Sequence, residues 1–89
     1  MATLKLKDGF VFREIAGKTV IIPAWDGLNL DRMITLNETG MFLWKLLEQE
    51  TDEIAVVAAL LAEYEVEESV ARYHVAAFIN QLKEHDFLV

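Results

Sequence analysis

An α+β domain of three short antiparallel strands followed by three helices is the fold class that the sequence predicts, and three observations carry it. The first third of the chain is rich in β-branched and aromatic residues around an Ala16-Gly17 pair, the pattern of a hairpin. From Asn37 onward the apolar residues recur at helical spacing, as they do along amphipathic helices. No Ser- or Pro-rich stretch separates the two regions, so residues 1–89 read as one domain, and 89 residues are too few for two.

The first two strands are Phe10-Val11-Phe12-Arg13-Glu14-Ile15 and Lys18-Thr19-Val20-Ile21-Ile22, which flank Ala16-Gly17, where glycine can take the positive φ of a tight reversal. Pro23 lacks an N–H to continue a ladder and Asp26-Gly27 reads as a turn, so Ala24 to Asp31 is expected to be a loop. A third strand is expected over Arg32-Met33-Ile34-Thr35-Leu36, with Ile34 and Leu36 on one face and Met33 and Thr35 on the other. Asn37 is a good N-cap for a helix running from Glu38 to about Gln49. Thr51 is expected to cap a second helix, with Ile54, Val57, Ala58 and Leu61 toward the core and an end near Tyr64. The third helix starts around Glu67 to Ser69, where Ser69 is the expected cap. It carries the stripe Ala71, Val75, Phe78, Ile79 and Leu82 as far as Lys83-Glu84-His85, and Phe87-Leu88-Val89 forms an apolar tail. A small sheet whose apolar face is covered by three helices satisfies the requirement for one core, and a winged-helix-like arrangement is the simplest result.

Composition removes several function classes. The chain carries 8 basic and 15 acidic side chains for a net charge of −7, and 3 basic against 11 acidic lie in residues 37–89, so a nucleic-acid backbone is an unsuitable partner. No cysteine is present, which excludes disulfides, thiolate chemistry and Cys-based metal sites. Ser69 is the only serine and lacks a Gly-flanked nucleophile elbow. His74 and His85 are eleven residues apart, which on one helix separates them by roughly 16 Å, too far for a shared metal ion. The four glycines are scattered and form no phosphate-binding loop, and the acidic run Glu63, Glu65, Glu67 and Glu68 lacks the spacing of a calcium loop. No catalytic residue, metal site or cofactor is therefore expected. No apolar run reaches the ~20 residues of a membrane-spanning helix and residues 1–9 lack the apolar stretch of a signal peptide, so a cytoplasmic location is expected.

The run Leu36-Asn37-Glu38-Thr39-Gly40, leading through Met41-Phe42-Leu43 to Trp44, resembles the signature that opens the first helix of the PqqD family. Thr51-Asp52-Glu53-Ile54 with Leu60 or Leu61 is similar to that family's second helix. Val75-Ala76-Ala77-Phe78-Ile79-Asn80-Gln81-Leu82 with the tail Phe87-Leu88-Val89 is similar to its third. Two departures stand out: His74 where the family usually has Asp, and Asp86 where it usually has Gly before the tail. The second implies a tail that does not use glycine's positive φ and is turned differently.

The resemblance implies a small peptide-binding module without catalytic activity. Such a module binds the leader of a ribosomally made precursor peptide and presents it to a modifying enzyme, in the pyrroloquinoline quinone pathway a radical S-adenosylmethionine enzyme. It further implies that the leader adds as a strand along strand three, through Arg32, Met33, Ile34 and Thr35, with side chains entering a groove beside helix three. On that helix Val70, Tyr73, His74, Ala77 and Gln81 form a stripe distinct from the core stripe, and they are nominated as the groove wall. The bare residue pattern leaves Val70, Tyr73 and Ala77 equally placed to finish the core of a thin domain. Two other functions remain compatible with the element order: a winged-helix DNA-binding regulator, which the charge opposes, and a structural subunit or homodimer that buries its apolar surface against itself.

Overall fold

The computed structural model describes residues 3–25, 27 and 32–89. Its elements are β1 (Phe10–Ile15), β2 (Lys18–Pro23), β3 (Ile34–Leu36), α1 (Glu38–Leu47), α2 (Glu53–Glu63) and α3 (Glu68–Glu84). The three strands form one antiparallel sheet in the order β1-β2-β3. The expected α+β, winged-helix-like order of strands and helices is what the molecule has.

The β1–β2 hairpin closes on the pair Ile15 and Lys18. Both intervening residues, Ala16 and Gly17, have positive φ, as a two-residue turn matched to strand twist requires. In β2 the register pairs Ile21 with Ile34 and Thr19 with Leu36 of β3, which aligns the buried Ile21, Ile34 and Leu36 on the face that meets the helices. Val20 pairs with Thr35 on the opposite face; it is buried yet stands apart from the main core. β3 is shorter than expected, because Arg32 and Met33 precede the ladder rather than join it. Asp26 and residues 28–31 of the expected loop lie outside the described residues.

α1 begins as its cap predicts: the Asn37 side chain accepts from the Gly40 N–H at 2.7 Å. It stops at Leu47, short of Gln49. Its last carbonyl, on Leu47, accepts from the N–H of Leu6, so the N-terminal segment ends the helix. α2 corrects two expectations. Its N-cap is Asp52, whose carboxylate accepts from Ala55 N–H at 2.8 Å, because the Thr51 backbone is committed to both hydrogen bonds of a bridge with Leu4. Its buried residues are Val56, Val57 and Leu60, while Ile54 is 67% exposed and Ala58 also faces solvent. The run Ile54-Ala55-Val56-Val57-Ala58-Ala59-Leu60-Leu61 is apolar all round, so its periodicity carries no phase, and packing against α3 chooses the face.

α3 buries Ala71, Val75, Ile79 and Leu82, with Phe78 half-buried beside them. No side chain caps its N-terminus and Ser69 does not serve as the expected cap; Glu68 instead pairs with Arg72 at 2.8 Å. The helix ends in a Schellman motif: Phe87 N–H donates to Leu82 carbonyl and Asp86 N–H to Lys83 carbonyl. Asp86 occupies the left-handed position with φ +60°, so the tail turns as it would with glycine, contrary to the expectation from the sequence. An aspartate tolerates this region better than most residues, and its carboxylate meets Lys7 at 3.0 Å.

The tail is more than an apolar end. Phe87 is fully buried, and residues 5–7 pair with residues 87–89 through Lys7 N–H to Phe87 carbonyl and Val89 N–H to Lys5 carbonyl. The ring of Phe10 sits edge-on to Trp44 at 4.7 Å and to Phe87 at 4.9 Å, which joins the hairpin base, α1 and the tail in one aromatic cluster. Among the described residues no polar or charged side chain is buried in the core, and no described helix is long and apolar enough to cross a membrane.

Candidate functional site

β3 pairs only with β2, so among the described residues no strand covers its other edge, and beside it lies a groove of about 650 Å³. One side is Thr35 and Leu36 of β3 and the start of α1, where Asn37, Thr39, Gly40 and Leu43 line it. The opposite wall is α3, through Val70, His74, Ala77, Phe78 and Gln81. Leu60 and Tyr64 at the end of α2, together with Val66 in the connection to α3, complete the lining, and Lys18 enters from the hairpin.

The geometry of each wall follows from its sequence. On α3 the positions 70, 74, 77, 78 and 81 form one stripe, and the core residues 71, 75, 79 and 82 form a neighbouring stripe about 100° around the helix. The same helix therefore closes the core with one face and walls the groove with the next. Ala77 is small and leaves the middle of the wall open. At the start of α1, Gly40 lets the helix press against β3: a Cβ there would sit 3.2 Å from Leu36 Cδ2 and 3.3 Å from the capping oxygen of Asn37. Tyr64 is held edge-on to Phe42 at 5.5 Å. Lys18 arrives through the register, since Thr19 opposite Leu36 places Lys18 at the C-terminal end of β3.

Of the residues nominated from sequence, the groove brings together Thr35, Val70, His74, Ala77 and Gln81. Ile34 is buried in the core, so its backbone alone is available at the edge. Arg32 and Met33 lie outside the lining, as does Tyr73, which is 71% exposed and rests its ring against His74 at 5.6 Å. None of Val70, Tyr73 and Ala77 belongs to the core, so the alternative that they finish it is not realised. The lining residues that the nomination missed include Lys18, Leu36, Asn37, Thr39, Gly40, Leu43, Leu60, Tyr64, Val66 and Phe78. Phe78 shares the helical face of the nominated stripe and could have been found from spacing; the others arrive by tertiary packing.

The lining offers apolar surface, two threonine hydroxyls, amide side chains, one imidazole and one ammonium group. Apolar surface with a few convergent polar groups is the make-up of a binding site. A strand edge with no second strand partner among the described residues lies beside it, and such an edge can offer backbone groups as well.

The model of the family described as coenzyme PQQ synthesis protein D (PqqD) matches residues 27–88, a span that holds β3 and all three helices. The chain belongs to the PqqD family. No curated protein sequence matches this PqqD-family chain. Two solved structures resemble it over nearly its whole length. One is TbiB1 in complex with the TbiA(beta) leader peptide, with a TM-score of 0.71, 25% identity, and coverage of 94% of this chain and 93% of the other. The second is lasso peptide synthetase B1 complexed with the leader peptide, with a TM-score of 0.72, 23% identity, and coverage of 97% and 96%. Both likenesses span nearly the whole chain, beyond the residues that the PqqD-family model matches, and the second speaks to the fold alone.

Proposed function

We propose that this PqqD-family chain binds the leader segment of a ribosomally made precursor peptide and holds it for a modifying enzyme, taking no part in bond-making itself. The observation that carries the reading is that an open strand edge and a groove wall on α3 face one another across a single cleft. An extended peptide laid against β3 would satisfy the strand's outward backbone groups, and alternate side chains would enter the groove. Main-chain pairing then supplies affinity and the pockets supply selectivity. The likeness to TbiB1, solved with a leader peptide bound, supports the same use of the same fold.

In this reading Thr35 and the Ile34 backbone meet the guest strand, and Val70, His74, Ala77 and Gln81 face its side chains. Arg32, Met33 and Tyr73 flank the cleft and touch the parts of the peptide that leave it. The partner enzyme is one that modifies the leader's attached core, with a radical S-adenosylmethionine enzyme as the first to test, in the cytoplasm. No cofactor is assigned to the chain. The test is a titration of isotope-labelled protein with the leader of a precursor peptide encoded beside its gene. Amide shifts are expected on residues 32–36 and 70–81; shifts confined to other surfaces would overturn the assignment.

A further inference from the structure

The charge of the groove differs from the charge of the molecule. The chain carries 15 acidic residues and a net charge of −7, yet among the described residues no Asp or Glu lines the groove. Among the described residues the carboxylates next to lining positions, Glu38, Glu63, Glu65 and Glu67, are exposed and contribute nothing to the lining. Among the described residues the one formal charge there is Lys18. Among the described residues Lys18 has no ion-pair partner, although carboxylates outnumber basic groups nearly two to one; Lys7 and Arg72, by contrast, are paired at 3.0 and 2.8 Å. Around Lys18 the groove is apolar or neutral, from Leu36 and Leu43 to Val70 and Phe78.

We infer that the extended segment this groove takes carries a carboxylate side chain set to meet Lys18, with uncharged and mainly apolar side chains along the rest of the cleft. The inference rests on the reading of the groove as a peptide site and names the chemistry of its ligand. A basic side chain at that position would meet Lys18 as a like charge, and a neutral one would leave the ammonium without a partner. Repulsion of an acidic peptide by the net charge of the whole chain does not overrule this, because exposed charges are screened over about 8 Å at physiological salt while the Lys18 contact is direct. An exposed ion pair of this kind is worth about two- to five-fold in affinity. That is enough to fix the position of one acidic residue in a set of selected binders.

The test selects a random dodecapeptide library, displayed on phage, against the full chain and in parallel against Lys18→Gln, a change at an exposed hairpin residue that leaves the fold intact. The expected result is a set of binders sharing Asp or Glu at one fixed place, with apolar residues at alternate positions, and loss of that acidic preference on Lys18→Gln. In the synthesised best binder, replacing the acid by its amide should weaken binding about two- to five-fold to the native chain and leave binding to Lys18→Gln unchanged. Binders that perturb Thr35 and Ala77 but show no fixed acid, or keep it on Lys18→Gln, would overturn the charge assignment and leave the groove standing. Binders that perturb other surfaces, or no binders at all, would overturn the groove reading itself and the charge assignment with it.

Discussion

Single residues decide how the chain enters and leaves its elements, and two of them do so against their intrinsic preference. Ala16 sits at φ +53° in the hairpin turn, where an L-residue with a Cβ is strained by about 1 kcal/mol. Ala16→Asn should raise stability by about that amount, seen as a higher denaturant midpoint at unchanged slope. Asp86 holds the left-handed position at the end of α3 with its charge on Lys7. Asp86→Ala should destabilise by about 1 kcal/mol, and Asp86→Asn by clearly less, since asparagine tolerates the conformation and the exposed ion pair contributes little. A result in which the two variants match would show that the ion pair, not the backbone, matters at this position. Asn37 was readable from sequence because an N-cap is a local device; its replacement by Ala should cost about 1 kcal/mol. Asp86 was not, because the Schellman hydrogen bonds and the pairing of the tail with residues 5–7 hold a conformation that its own preferences do not dictate.

At the scale of elements, legibility follows how much of the helix is apolar. α3 has distinct apolar and polar faces, so its core residues follow from spacing, and the start of α1 follows from its Asn37 cap. α2 does not, and its buried face was set by its neighbours. The consequence is measurable: Leu60→Ala should cost about 2–5 kcal/mol and Ile54→Ser less than about 0.5 kcal/mol in the same unfolding experiment. The N-terminal alternation Leu4-Lys5-Leu6-Lys7 is a strand signal, but its partners, Thr51 and Phe87–Val89, are distant in sequence, and such pairing leaves no local mark. The α3 stripe was legible because residues along one helix are local information, and the family resemblance is what pointed to it as a groove wall. Filling it should separate binding from stability. Ala77→Trp, at an exposed position, should reduce leader affinity by about tenfold or more while leaving the unfolding midpoint close to that of the native chain.

For the molecule as a whole, the sheet edge, α1 and α3 have to meet before a cleft exists, and no segment contains it alone. That is why Lys18, Tyr64 and Val66 could not be nominated from the chain: they reach the groove through strand register and through the packing of α2 and its connection to α3. The same dependence makes the cleft sensitive to the core behind it. Phe87→Ala, which removes a fully buried ring that Phe10 packs against, should cost about 3–5 kcal/mol. In so small a domain that is a large share of the total, and leader binding should fall with the folded fraction, restored by lower temperature.

The hydrogen bond from Val89 to Lys5 has an architectural meaning as well. It brings the incoming and outgoing ends of the fold to one spot, so the domain could be spliced into a surface loop of a larger enzyme with both joints side by side and little distortion of either partner.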